Sequence, residues 1–130
     1  MMICYNVSEK MVILMKFIHY INGRKESSNN NLKNLYCKNE KKYKFFLDNI
    51  TNYIYITDRL IFIRENEDYK FELEISNKSN CKLTLNSENK TFNINVLNAS
   101  YKEEKNYIDI RYELETDIDS KHHIILEIEE

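Results

Sequence analysis

The sequence predicts an all-β domain, a closed antiparallel barrel of about eight strands in meander order, with a β-sandwich as the alternative. Three observations carry this expectation. Apolar and polar residues alternate with period two again and again through the second half of the chain. The alternating segments recur about ten residues apart and are joined by short polar connections. Few residues are left over for helices. A strand sends successive side chains to opposite faces, so alternation separates charges from apolar groups, whereas a helix would scatter them around its circumference.

Taken in order, Met11 to Ile21 (MVILMKFIHYI) is apolar but interrupted by Lys16 and His19. It is about half the roughly 20 residues needed to span a bilayer. No small-residue cleavage site follows, so a buried first strand is expected in place of a signal peptide, with a short helix as the alternative. Residues 24–34 are polar and Asn-rich and read as a flexible loop. Lys42 to Leu47 can form the next strand. Tyr53-Ile54-Tyr55-Ile56 and Leu60-Ile61-Phe62-Ile63 flank Thr57-Asp58-Arg59, a tight hairpin, and are apolar or aromatic on both faces. That pattern predicts cover on both sides.

Phe71, Leu73 and Ile75 then alternate with Glu72 and Glu74, and Leu83 and Leu85 alternate with Lys82, Thr84 and Asn86. After a turn at Ser87-Glu88-Asn89-Lys90, Phe92, Ile94 and Val96 alternate with Asn93 and Asn95. The clearest case is Tyr107 to Ile118. Ile108, Ile110, Tyr112 and Leu114 share one face, and Asp109, Arg111, Glu113 and Glu115 the other. A last strand sets Ile124, Leu126 and Ile128 against Ile125, Glu127 and Glu129, so the pattern closes with an antiparallel hairpin. A run of antiparallel strands must manage its edges, and closure into a barrel removes them.

The 130 residues fit one domain, 1–130, with no internal repeat. A chain of this size buries roughly two-thirds of its unfolded surface. The 42% apolar and 31% charged fractions are those of a folded, well-solvated protein. Nineteen basic residues against 21 acidic ones give a net charge of −2, which supplies no drive towards nucleic acid or an anionic membrane. With one Gly and no Pro, turns fall to Asn, Asp, Ser and Lys, of which Asn best tolerates the left-handed conformation. The abundance of Asn, Lys, Ile and Tyr matches AT-rich codons. Cys4, Cys37 and Cys81 are odd in number and far apart, without CxxC spacing; reduced thiols in a cytoplasm are expected.

From Tyr53 to Glu130 the chain resembles the YwiB-like family, small bacterial barrel proteins of uncharacterised function with a calycin-like (lipocalin-type) fold. The residues that carry the resemblance are Leu60-Ile61-Phe62-Ile63-Arg64, the Phe71 strand, and the pairing of Leu83–Leu85 with Phe92–Val96. Above all they include the ending Tyr107-Ile108-Asp109-Ile110-Arg111-Tyr112-Glu113-Leu114 followed by His122 to Glu129. The family usually has glycine after the arginine and at the turn before the Phe92-like strand, where this chain has Glu65 and Asn89-Lys90. The resemblance implies a fold and brings no catalytic residues.

No catalytic centre is legible in the residues themselves. Adjacent His122 and His123 would point to opposite faces of a strand, so one metal ion would need help from elsewhere, His19 included; a solvated strand start is the plainer reading. Arg64 falls in phase with Leu60 and Phe62. It either points inward, where its fork matches a carboxylate, or reaches solvent and pairs with Glu65 or Glu67. Asp109, Glu113, Glu115, Glu127 and Glu129 fit a charged outer face better than paired acid–base carboxylates. The cysteines have no neighbouring His to act as base and read as small hydrophobes. A single Gly23 excludes phosphate-cradling loops and G-x-S-x-G. Tyr36, Lys38, Lys41, Lys42, Tyr43 and Lys44 would suit single-stranded nucleic acid, but the net charge opposes it.

The expectation is a cytoplasmic, non-catalytic binding module, without cofactor or metal, for a small, partly apolar ligand. Arg64, Tyr55 and Tyr112 would supply the polar contacts. The alternative is a filled-core barrel that meets a protein partner through the tyrosine-rich surface around Tyr53 and Tyr55; in either case a monomer or homodimer is expected.

Overall fold

A computed structural model describes residues 10–37 and 41–129, with side chains over 15–26 and 42–128. Among these residues all regular structure is β. In chain order the strands are β1 (Lys10–Ile21), β2 (Arg24–Cys37), β3 (Lys41–Leu47), β4 (Ile50–Ile56), β5 (Leu60–Glu65) and β6 (Tyr69–Ile75). They continue with β7 (Asn80–Leu85), β8 (Lys90–Ile94), β9 (Val96–Glu104), β10 (Tyr107–Leu114) and β11 (Lys121–Glu129). No helix among the described residues is long and apolar enough to cross a membrane.

The turns bear out the chemistry expected of a chain with so little glycine. Asn22, Asp48, Asn89, Asn106 and Asp119 all take positive φ, the conformation that Asn and Asp tolerate best. Asn22 and Gly23, at φ 52° and 84°, together make the β1–β2 hairpin, a backbone twist that suits paired strands.

The hydrogen-bonded order is β8-β7-β6-β5-β4-β3-β2-β1-β11-β10-β9, antiparallel throughout. Consecutive strands pair, except β8 and β9, which are neighbours in the chain and the two ends of the ladder. The expected closed, calycin-like barrel is therefore not formed. The ladder stays open at Asn95, where the expected single strand through Phe92, Ile94 and Val96 breaks into β8 and β9. The Asn95 carbonyl accepts the Glu115 amide at 2.9 Å, and the chain turns there from a pairing with β7 to one with β10.

Two layers result, and the alternative of a sandwich fits. The β2–β3 ladder has only three described register pairs, Leu35 with Lys44, Tyr36 with Tyr43 and Cys37 with Lys42. It divides six strands, β3 to β8, from five, β2, β1, β11, β10 and β9. The halves meet through side chains of strands far apart in the ladder. The Arg64 guanidinium of β5 lies 5.8 Å from the centre of the Phe17 ring of β1, and Phe71 of β6 lies 6.1 Å from Tyr112 of β10.

Alternation fills the space between. Phe45, Ile54, Leu60, Phe62 and Leu73 come from one layer and Phe17, Ile108, Ile110, Ile124 and Leu126 from the other, all buried. Burying each such side chain contributes about 1.5–3 kcal/mol. The inward faces expected for the strands at Tyr107–Leu114 and Ile124–Ile128 are the buried ones.

Other expectations need correction. Residues 24–34 are not a loop: they run in β2, their backbone paired with β1 through His19–Ser27, Ile18–Ser28 and Phe17–Asn29. Ladder bonds use backbone groups, so a strand anchored by a tight hairpin tolerates Asn runs of low β-propensity. Val96–Glu104 is a strand the alternation did not reveal, because as an edge its apolar contacts are sparse. The outer faces of Tyr53–Ile56 and Leu60–Ile63 have no layer over them among the described residues; Tyr53, Tyr55, Ile61 and Ile63 are half-buried.

Candidate functional site

Arg64 continues the inward phase of Leu60 and Phe62, and its register neighbours are Asn52 on β4 and Phe71 on β6. Its Nε donates to Asn52 Oδ1 at 2.8 Å. Asn52 is fully buried, and its own Nδ2 donates to the Ile50 carbonyl at 3.4 Å. The guanidinium lies over the Phe17 and Phe62 rings at 5.8 and 5.9 Å, where aromatic faces attract a cation. Among the described residues no carboxylate is in ion-pair contact with it. One edge of this cation is held, and among the described residues no acid pairs with its terminal nitrogens.

Facing it across the layers is a pair of histidines. His19 on β1 follows the inward phase of Met15 and Phe17, and its Nε2 lies 3.0 Å from Nδ1 of His122 on β11. His122 Nε2 is 2.6 Å from the Asp119 carbonyl. A carbonyl only accepts, so that nitrogen carries the proton; His122 Nδ1 is then the acceptor and His19 Nε2 the donor. Both rings are neutral. Burial, then the nearby Arg64 charge and His122, lowers the pKa of His19 to about 3. Burial also lowers His122, against the opposing pull of Asp119.

The Tyr112 ring stacks on His122 with centroids 4.6 Å apart and planes 9° from parallel. Burial pushes its phenol well above the usual range, so it stays protonated.

These groups border a cleft of about 340 Å³. Arg64, His19, His122 and Tyr112 form its polar side, and Tyr69, Phe71, Leu83 and Leu85 of β6 and β7 its apolar side. The structure thus brings Arg64 and Tyr112 together and leaves Tyr55 apart. Ile54 and Ile56 point inward, so period two sends Tyr55 to the opposite face. There it stacks on Tyr53 at 6.1 Å under Lys42. The sequence offers His19 and His122 as metal ligands, with a solvated strand start as the plainer reading of His122; the structure instead buries His19, in phase with Met15 and Phe17, and joins it to His122.

A second cluster occupies the outer side of β10 and β11. Asp109, expected on a solvated face, is only 8% exposed. His123 Nε2 lies 3.1 Å from each of its oxygens, Arg111 Nε donates at 3.2 Å and the Tyr107 hydroxyl at 3.3 Å. Burial pushes the carboxyl up, but the hydrogen bonds and charges of His123 and Arg111 outweigh it and hold the pKa below the ordinary value. His123 also stacks on Tyr20 at 5.6 Å. A recess of about 550 Å³ opens here, lined among others by Arg111, Lys121 and Ser100. In the register Arg111 stands between Ser100 and His123. That puts the Cα atoms of Ser100 and His123 two strand spacings apart, about 10 Å, with Arg111 between them.

His122 and His123 thus face opposite sides, as period two requires, one towards His19 and the other towards Asp109. No group of three or more His, Cys, Asp or Glu among the described residues is placed to hold a metal ion. Cys81 is buried at 1% exposure, and burial pushes its thiol up to about 12. It packs as a small hydrophobe. The Cys4 residue and the side chains of Cys37, Tyr36, Lys38, Lys41 and Glu129 lie outside the described residues. Of the lysine–tyrosine run, Lys44 lies over both Phe46 and Tyr53 at 5.6 Å.

No family model, curated protein or solved structure matches the chain, so the resemblance to the YwiB-like family rests on the residues quoted for it.

Proposed function

We propose that the protein is a cytoplasmic, non-catalytic binding module for a small, partly apolar ligand with an acidic head group. One observation carries the reading: Arg64 lines a cleft whose described lining has no carboxylate and whose opposite wall is apolar. A carboxylate there would meet the terminal guanidinium nitrogens in a charge-assisted, paired geometry. Asn52 and the two phenyl rings already fix the orientation of the guanidinium, which lowers the ordering cost of binding. The protonated Tyr112 hydroxyl is a second donor candidate. The ligand's apolar part would lie over Phe71, Leu83 and Leu85. A volume of about 340 Å³ falls at the lower end of small-molecule sites, which favours a short chain or single ring.

Titration calorimetry with octanoate and with octanol tests this. Octanoate should bind wild type, octanol about tenfold or more weakly, because a charge-assisted hydrogen bond contributes about 1.5–3 kcal/mol. Arg64→Met should abolish the preference, and Arg64→Lys should keep part of it. Equal binding of acid and alcohol, or an unchanged preference in folded Arg64→Met, refutes the assignment. Native mass spectrometry of protein from its own host would then weigh any retained ligand.

A further inference from the structure

On the outer face of the six-strand layer, residues line up in rows across the ladder. One row runs Lys44, Tyr53, Ile63, Glu72 on β3, β4, β5 and β6; the next runs Lys42, Tyr55, Ile61, Glu74. A third runs Phe46, Thr51, Glu65, Lys70. The first two rows have the same composition: a lysine, a tyrosine, an isoleucine, a glutamate. In these two rows the lysines stand on β3, the apolar residues on β4 and β5 and the glutamates on β6, where Lys70 reaches Glu72 at 3.8 Å and Arg59 reaches Glu74 at 3.9 Å. Phe46 is 55% exposed beside the stripe. Tyr53 and Tyr55 stack in parallel along it, 11° between planes.

A half-exposed apolar stripe between charges of opposite sign fits an interaction surface, and the order of the residues in these two rows selects the partner. We propose that this face is the interface of a homodimer, a second copy docking on it about a twofold axis parallel to the strands. That operation reverses the order of the columns while keeping the rows. It sets Lys44 opposite Glu72 of the other copy, Lys42 opposite Glu74, and Tyr53 and Tyr55 opposite Ile63 and Ile61. A twofold across the strands would instead put lysines on lysines and glutamates on glutamates. An isologous interface needs a self-complementary patch; the two lysine–glutamate rows are complementary in charge under one operator and repulsive under the other, while the third row sets Phe46 opposite Lys70 and Thr51 opposite Glu65. Sheets packed face to face run within about 30° of each other, so the rows stay close to opposition over their two-residue span. The cleft lies on the inner side of the same layer, so dimer and ligand make separate demands on the chain.

Sedimentation equilibrium on wild type, Lys44→Glu, Glu72→Lys and the double variant tests the proposal. Wild type should be dimeric at micromolar concentration. Each single variant should weaken dimerisation about tenfold or more by opposing like charges. The double variant should restore it, since residue 44 of each copy meets residue 72 of the other. Ile63→Lys should give a monomer with an unchanged circular dichroism spectrum. A wild type that stays monomeric at high micromolar concentration overturns the proposal. So does a dimer indifferent to Ile63→Lys, or a double variant as weak as the sum of its singles.

Discussion

Acidification should expose the cost of holding His19 neutral. In the folded protein its pKa is about 3, against 6.5 for a free imidazole. Between these values the unfolded chain binds a proton that the native state refuses, so stability is complete above about pH 6.5 and declines as the pH falls. Evaluated between about pH 7 and pH 5, the linkage amounts to ~2 kcal/mol from this residue alone, a large part of a small domain's margin. His122, also lowered, adds in the same direction, whereas Asp109, with a carboxyl held below its usual value, acts only in stronger acid. Urea unfolding followed by circular dichroism at several pH values reads the effect. His19→Gln keeps a donor towards His122 but cannot titrate, so its loss between pH 7 and 5 should be smaller than wild type's by ~2 kcal/mol. A wild type equally stable at both pH values, or a variant with the same acid loss, refutes the reasoning.

Two further outcomes follow from burial. Phe62→Ala removes a fully buried ring that contacts Phe71 and underlies Arg64, and should cost about 3–5 kcal/mol in urea unfolding. Cys81, buried and with its thiol pushed up to about 12, should escape iodoacetamide in the native protein and react in urea, read by peptide mass mapping.

Much of the fold was legible because period two assigns faces without any knowledge of partners. It set Ile108, Ile110, Tyr112 and Leu114 inward correctly, and the same arithmetic applied to Ile54 and Ile56 would have excluded Tyr55 from the site. What alternation does not encode is which strand lies beside which. The break at Asn95 depends on one carbonyl finding the Glu115 amide, and nothing in Phe92 to Val96 announces it. The Asn22-Gly23 dipeptide, a strong hairpin signal between apolar flanks, was available and argues for a strand after it, yet the Asn-rich composition of 24–34 pointed to a loop.

The site divided in the same way. Arg64 was readable from its phase with Leu60 and Phe62. The His19–His122 contact was not, since it joins residues 103 positions apart. Asp109 looked solvated because its neighbours in the alternation are charged. Its burial comes from His123 and Tyr107, on the same face of β10 and β11.

The pairing of β1 with β11 places Phe17 beside Leu126, and this bears on how the chain is made. Hairpins from β3 to β8 involve near neighbours and can form as soon as their residues leave the ribosome. β1, already paired with β2, has its other edge open until residues 121–129 emerge. The apolar strand that carries Phe17 and His19 therefore waits, while residues 22–120 are made, for its second neighbour. Closing so long a loop carries an entropic cost that grows only slowly with length, but non-local strand pairing is slow. The layer of β1, β10 and β11, and with it one wall of the Arg64 cleft, should be the last of the described strands to become native.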